Sequence, residues 1–65
     1  MEYQLDKFLR LPQVIDQTGL SKASIYRLER QGDFPHRVSI SPGTVGWRES
    51  EIDQWIDGRP KASQE

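Results

Sequence analysis

The chain contains no cysteine and a single histidine, His36, among its 65 residues. That excludes disulfides and thiolate zinc sites, and one imidazole builds no metal centre by itself, so neither a metal nor a cofactor is expected. No apolar run reaches the length of a membrane span, and the N-terminus lacks the basic-then-apolar order of a signal peptide. A soluble, cytoplasmic protein with no membrane partner is the expectation. There is no phosphate-cradling glycine-rich loop, the carboxylates gather near the C-terminal end without a framework around them, and so short a chain hardly encloses a substrate cavity. An enzyme is therefore not expected. The length corresponds to one domain, residues 1–65, at the small end of what folds without covalent staples.

An excess of charge of either sign is also missing, since the formal net charge is −1. The charges are nevertheless sorted along the chain. Residues 7–48 carry seven cations against three acids, a local +4, whereas residues 49–65 carry two cations against five acids, a local −3. Attraction to phosphate depends on charge within a Debye length, about 8–10 Å at ordinary salt, more than on the chain total. The pattern suits a basic reading half and an acidic far end. So mild a charge also favours self-association on repeated sites or binding beside another protein.

What the chain does contain is a run from Val14 to Arg30 with the offsets of a helix-turn-helix. Such a motif packs two short helices steeply across a brief turn, often one holding a glycine. Val14, Ile15 and Thr18 supply the first inner face, Gly19 the corner, Leu20 the plug beneath it, and Ile25 and Leu28 the second inner face. The predicted helices span residues 12–18, with Pro12 at the first position after Leu11 as cap, and 21–31, with Ser21 as cap. With Ile25 and Leu28 turned inward, the 100° helical step sends Lys22, Tyr26, Arg27 and Arg30 to the opposite side. Ser21, Ala23 and Ser24 are small enough to let the N-terminal end approach a groove. A charged strip is usually just a solvated face; its combination with the glycine corner points to double-stranded DNA as the partner.

Around this motif, Phe8–Leu11 reads as a small edge strand that lays Phe8 or Leu9 into the core, and Tyr3 and Leu5 are candidates to pack before it. Gly32 and Pro35 end the second helix, with Phe34 as a core plug. Residues 37–48 form a predicted hairpin in which Ile40 opposes Val45 and Val38 opposes Trp47, all on one face, across a loop of about four residues containing Pro42-Gly43. A last helix is predicted over 49–57, with Ile52, Trp55 and Ile56 inward and acids in its first turns. Trp55 is expected to pack on the first helix and Trp47, with a partner-binding anchor as the alternative. Residues 59–65 read as a flexible tail.

Three separated blocks, Thr18 to Leu28, Gly32 to Pro35 and Val45 to Ile56, together resemble the AlpA family of phage and prophage transcriptional regulators over residues 8–58. The resemblance implies a mainly α fold with a small β-hairpin, a winged helix-turn-helix of the MerR and excisionase-like type. It implies a bacterial or phage DNA-binding protein that regulates mobile-element genes or acts as an excisionase-like architectural factor. Carried onto matching positions, the DNA-binding residues are Ser21, Lys22, Ser24, Tyr26, Arg27 and Arg30 on the second helix, and Arg37, Thr44 and Arg48 on the wing, with Ser41 and Gly43 beside Thr44. A tyrosine at Tyr26 can instead lie flat on the hairpin. A reading from another class keeps the fold but docks it, through the acidic last helix, on a recombinase or another regulator.

Overall fold

The computed structural model describes residues 6–62. Tyr3, Leu5 and the end of the 59–65 tail lie outside the described residues. The elements run β1 (Phe8–Leu9), α1 (Leu11–Thr18), α2 (Lys22–Gln31), β2 (Val38–Ser41), β3 (Thr44–Arg48) and α3 (Glu49–Asp57). Phe8–Leu9 pairs antiparallel with β3 and turns the expected hairpin into a three-stranded sheet of order β1-β3-β2. Three helices and this small antiparallel sheet make up the fold.

Every element but β2 gives one apolar side chain to the buried core. Leu9, Val14, Ile25, Trp47 and Ile52 come from β1, α1, α2, β3 and α3, and Phe34 plugs the turn after α2. Burying each is worth roughly 1.5–3 kcal/mol, and Leu11, Ile15, Leu20, Tyr26, Leu28, Trp55 and Ile56 pack around them half-buried. Trp47 keeps its polar edge satisfied by donating from Nε1 to the Pro35 carbonyl at 3.0 Å, as a buried indole requires.

Helix α1 starts one residue earlier than expected. Arg10, not Leu11, is the cap residue, and its N–H donates to Gln13 Oε1 at 2.9 Å, placing Pro12 in the first turn. The corner after α1 is built by two adjacent residues. Gly19 takes φ 75° while its N–H closes on the Ile15 carbonyl at 2.8 Å. Thr18, expected simply as an inner-face residue, donates its hydroxyl to the Val14 carbonyl at 2.7 Å and accepts from the Leu20 N–H at 3.2 Å. Helix α2 opens on Ser21, whose hydroxyl oxygen accepts from the Ser24 N–H at 3.2 Å, and closes on Gly32 at φ 80°.

The hairpin corrects the expected register. Val38 faces Gly46 and Ser39 faces Val45, with an irregularity between Ser39 and Ser41 that sets Ile40 out of regular pairing. A slip of one residue exchanges faces, so Val38 and Val45 do not share one, and Val45 is 41% exposed while Trp47 is buried. The physical reason is Gly46. A Cβ built there would lie 2.7 Å from the Leu9 carbonyl oxygen and 2.8 Å from Ile40 Cδ1, so the missing side chain is what lets β1 and Ile40 close over β3. The loop is also shorter than the expected four residues, because only Pro42 and Gly43 separate the strands. Gly43 at φ 78° fits the second central position of a type II turn. Such a turn splays strands where primed turns follow their twist, and the bulge absorbs the mismatch.

Trp55 is the other correction. It does not stack on Trp47; its ring meets Phe34 edge-on with centroids 4.8 Å apart, and its Nε1 donates to the Asp33 carbonyl at 2.6 Å. Arg59 covers the outer face with its guanidinium carbon 4.5 Å from the ring centre. Helix α3 is thereby pinned to the turn after α2, and Gln17 donates to Asp53 at 2.9 Å to tie it to α1.

Candidate nucleic-acid interface

Helix α2 is ten residues long, hence about 15 Å. Its inner side is set by Ile25, fully buried, and by Leu28 and Glu29 one turn on. The helical step puts Arg27 and Arg30 on the opposite side, both exposed, whereas Lys22 and Ser21, three and four residues before Ile25, are not opposite it as expected but are exposed at the open N-terminal end, with Ser24 half-exposed. Among the described residues, Lys22, Arg27 and Arg30 enter no ion pair. Their charge therefore faces solvent uncompensated along the whole length of the helix. At the N-terminal end Ser21 donates its hydroxyl to Ser24 Oγ at 3.1 Å, so two small polar groups sit where the helix dipole is positive.

Tyr26 and Arg37 stand apart from these positions. Tyr26 is half-buried against the core, and Arg37, which leads into β2, stacks over its ring with Cζ 4.9 Å from the centroid. Arg37 is further bound to Glu29: its backbone N–H donates to Glu29 Oε2 at 2.7 Å, and its Nε lies 3.8 Å from Oε1. Thr44 follows Ser41, Pro42 and Gly43 at the tip of the hairpin and is half-buried. Arg48 stands at the other end of β3, roughly 13 Å from Thr44 at the usual rise per residue, opposite Phe8 and with Cζ 5.7 Å from its ring. The nine candidates thus separate into five positions on α2, with Ser21, Lys22 and Ser24 at its N-terminal end and Arg27 and Arg30 on its outer side, a Tyr26–Arg37 pair at the root of the hairpin, and single positions at either end of β3.

Two functional neighbours escape a reading of the sequence. Glu29 is 6% exposed, although it stands four residues after Ile25 on the inward side, a spacing that marks it as buried. Asp6 accepts from the N–H and the hydroxyl of Ser50 at 3.0 and 2.8 Å and caps the start of α3. Those Ser50 hydrogen bonds, side chain first, hold the Asp6 carboxyl below its ordinary value of 3.8. Nothing local to residues 1–7 announces that partnership. Lys7 lies 3.9 Å from Glu49 beside it, an exposed pair of little energetic weight.

No helix among the described residues is long and apolar enough to cross a membrane. A groove of about 780 Å³ lies between the turn after α2 and α3, where Phe34, Pro35, Trp55 and Arg59 line it. Among the described residues no group of His, Asp or Glu could hold a metal ion.

The family model described as prophage CP4-57 regulatory protein (AlpA) matches residues 7–60. A protein of Enterobacteria phage P4, named uncharacterized protein ORF88, is 44% identical over 54 residues, which cover 83% of this chain and 61% of that protein. The chain thus spans less than two thirds of the phage relative. A protein of Escherichia coli (strain K12) named DNA-binding transcriptional activator AlpA is 38% identical over 61 residues, 85% of this chain and 87% of that protein.

Proposed function

This chain belongs to the AlpA family of prophage regulatory proteins, and from that premise we propose that it is a sequence-specific reader of double-stranded DNA controlling genes of a phage or other mobile element. The observation that carries the reading is the cationic surface of α2, where Lys22, Arg27 and Arg30 are exposed and unpaired among the described residues on a helix anchored by a fully buried Ile25. In this reading the fold is a winged helix-turn-helix of the MerR and excisionase-like type. Helix α2 enters the major groove, Ser21 and Ser24 let its N-terminal end approach, and the long cations reach base edges or phosphates. The β2–β3 hairpin is the wing, and Thr44 at its tip meets the neighbouring backbone.

The test is selection of bound duplexes from a random library, followed by titration of the selected site. The selected duplex is expected to beat a scrambled one by well over tenfold. Log affinity is expected to fall with log salt with a slope of about −3 to −5, at roughly 0.9 per phosphate neutralised. Arg27→Ala is expected to cost on the order of 1–3 kcal/mol on that site, against no change for Lys61→Ala. Folded protein without duplex preference at any salt, recovering a recombinase from its host, would instead give the protein-docking role. Bending and repeated sites in the footprint would give the excision factor.

A further inference from the structure

We propose that Glu29 is a positioning residue for DNA reading, which locks the root of the wing to the recognition helix and keeps the charge of Arg37 from acting as an independent phosphate contact. The inference rests on the DNA-reading function proposed above.

Glu29 occupies the last turn of α2 with its side chain 8% exposed. A carboxylate taken from water that far requires partners that answer its charge. Both of its oxygens turn to one residue. Oε2 takes the Arg37 backbone N–H at 2.7 Å and Oε1 faces the Arg37 Nε at 3.8 Å. The first contact fixes backbone, so the chain enters β2 at an angle set by the recognition helix and not by the turn between them. The second, together with the Tyr26 ring 4.9 Å from Cζ, fixes the guanidinium. Arg37 is thus held on three sides: by a carboxylate, by an aromatic face and by its own backbone. Its charge faces a carboxylate of the protein on one side, while its side chain stays 44% exposed. Lys22, Arg27 and Arg30 have no such partner among the described residues. Basic residues with the same formal charge therefore divide into those that attract DNA and one that orients the reader. A fixed angle between helix and wing lets a cognate site satisfy both at once, whereas a free Arg37 adds attraction to any duplex.

Glu29→Gln separates these roles, because the amide oxygen can still accept the Arg37 N–H while the charge is gone. The variant is expected to melt close to the parent and to keep the Arg37 amide protected from hydrogen exchange. Its salt slope on the selected duplex should steepen by about 0.9, one phosphate equivalent, and its preference over scrambled duplex should fall by roughly threefold or more as scrambled binding gains. Arg37→Gln alone should leave the parent slope within about 0.3, and the double variant should return the slope to the parent value. A folded Glu29→Gln protein with unchanged slope and preference overturns the inference. If that variant does not fold, Arg37→Gln decides: loss of about 0.9 from the slope makes Arg37 an ordinary phosphate contact and overturns it, and an unchanged slope supports it. A parent protein that shows no duplex preference sinks the DNA-reading function itself, whereas unchanged variants of a discriminating parent sink only the role of Glu29.

Discussion

The second and third helices are made to start by different means. Helix α2 is closed by its own neighbours, Ser21 at the front and Gly32 at the back, both within one residue of its ends. Helix α3 follows β3 directly, with Arg48 at its cap position making no side-chain cap, and its first turn is served by Asp6, 44 residues earlier in the chain. The basic helix can therefore form wherever its segment is, while the acidic helix is completed only when the chain before β1 has come round to meet it. The difference teaches where damage will spread. A change on the exposed side of α2 should touch binding and leave the fold; a change where β1, β3 and α3 meet should touch the fold first.

The sharpest way to break that contrast is Gly46→Ala. The added methyl would lie 2.7 Å from the Leu9 carbonyl oxygen, which belongs to backbone and cannot swing aside, and 2.8 Å from Ile40 Cδ1. Overpacking of this kind costs about 1–3 kcal/mol, and the backbone obstacle puts this site at the upper end. For so small a domain that lowers a thermal midpoint by roughly 10 °C or more. An unchanged midpoint would mean that β1 does not close over β3.

A smaller effect is expected from Asp6→Asn. Because hydrogen bonds from Ser50 hold the folded Asp6 carboxyl below 3.8, its contribution is complete above the unfolded value and is lost as pH falls through the folded one. The parent should therefore lose stability on acidification below about pH 4 more steeply than the variant, and melts across pH 2–7 would show the two curves converging at the acid end. Parallel curves would remove Asp6 as the cap of α3.

The smallest effect sharpens the comparison by its near absence. Glu51→Gln with Asp53→Asn removes two negative charges from α3, and affinity for the selected duplex should change by no more than a few-fold, since charges beyond roughly 10 Å from phosphate are screened. A gain beyond tenfold in a binding titration would place α3 beside the DNA and erase the division between a basic and an acidic side.

What the sequence determined by itself is whatever depends on neighbours along one helix or one turn. The inward positions of Val14 and Ile25, the positive φ of Gly19 and Gly32, the Ser21 cap and the cationic side of α2 follow from a 100° step and from the steric freedom of glycine, both local properties. The burial of Phe34 was legible too, as the only large apolar side chain in a polar turn. The structure alone decided what depends on distant segments coming together. Hydrophobic alternation points to Ile40 opposite Val45, and the chain takes another register at Gly46 because β1 packs against it. Trp55 is expected from its spacing on α1 and Trp47, and the Asp33 carbonyl instead draws its indole N–H to the turn. The spacing of Glu29 from Ile25 turns it inward, but its partner exists only once Arg37 folds back on it, and Asp6 reads as part of a polar lead-in until Ser50 arrives. In each case the deciding partner is remote in the chain, and the hydrogen bond or close approach that selects it exists only after the chain has closed.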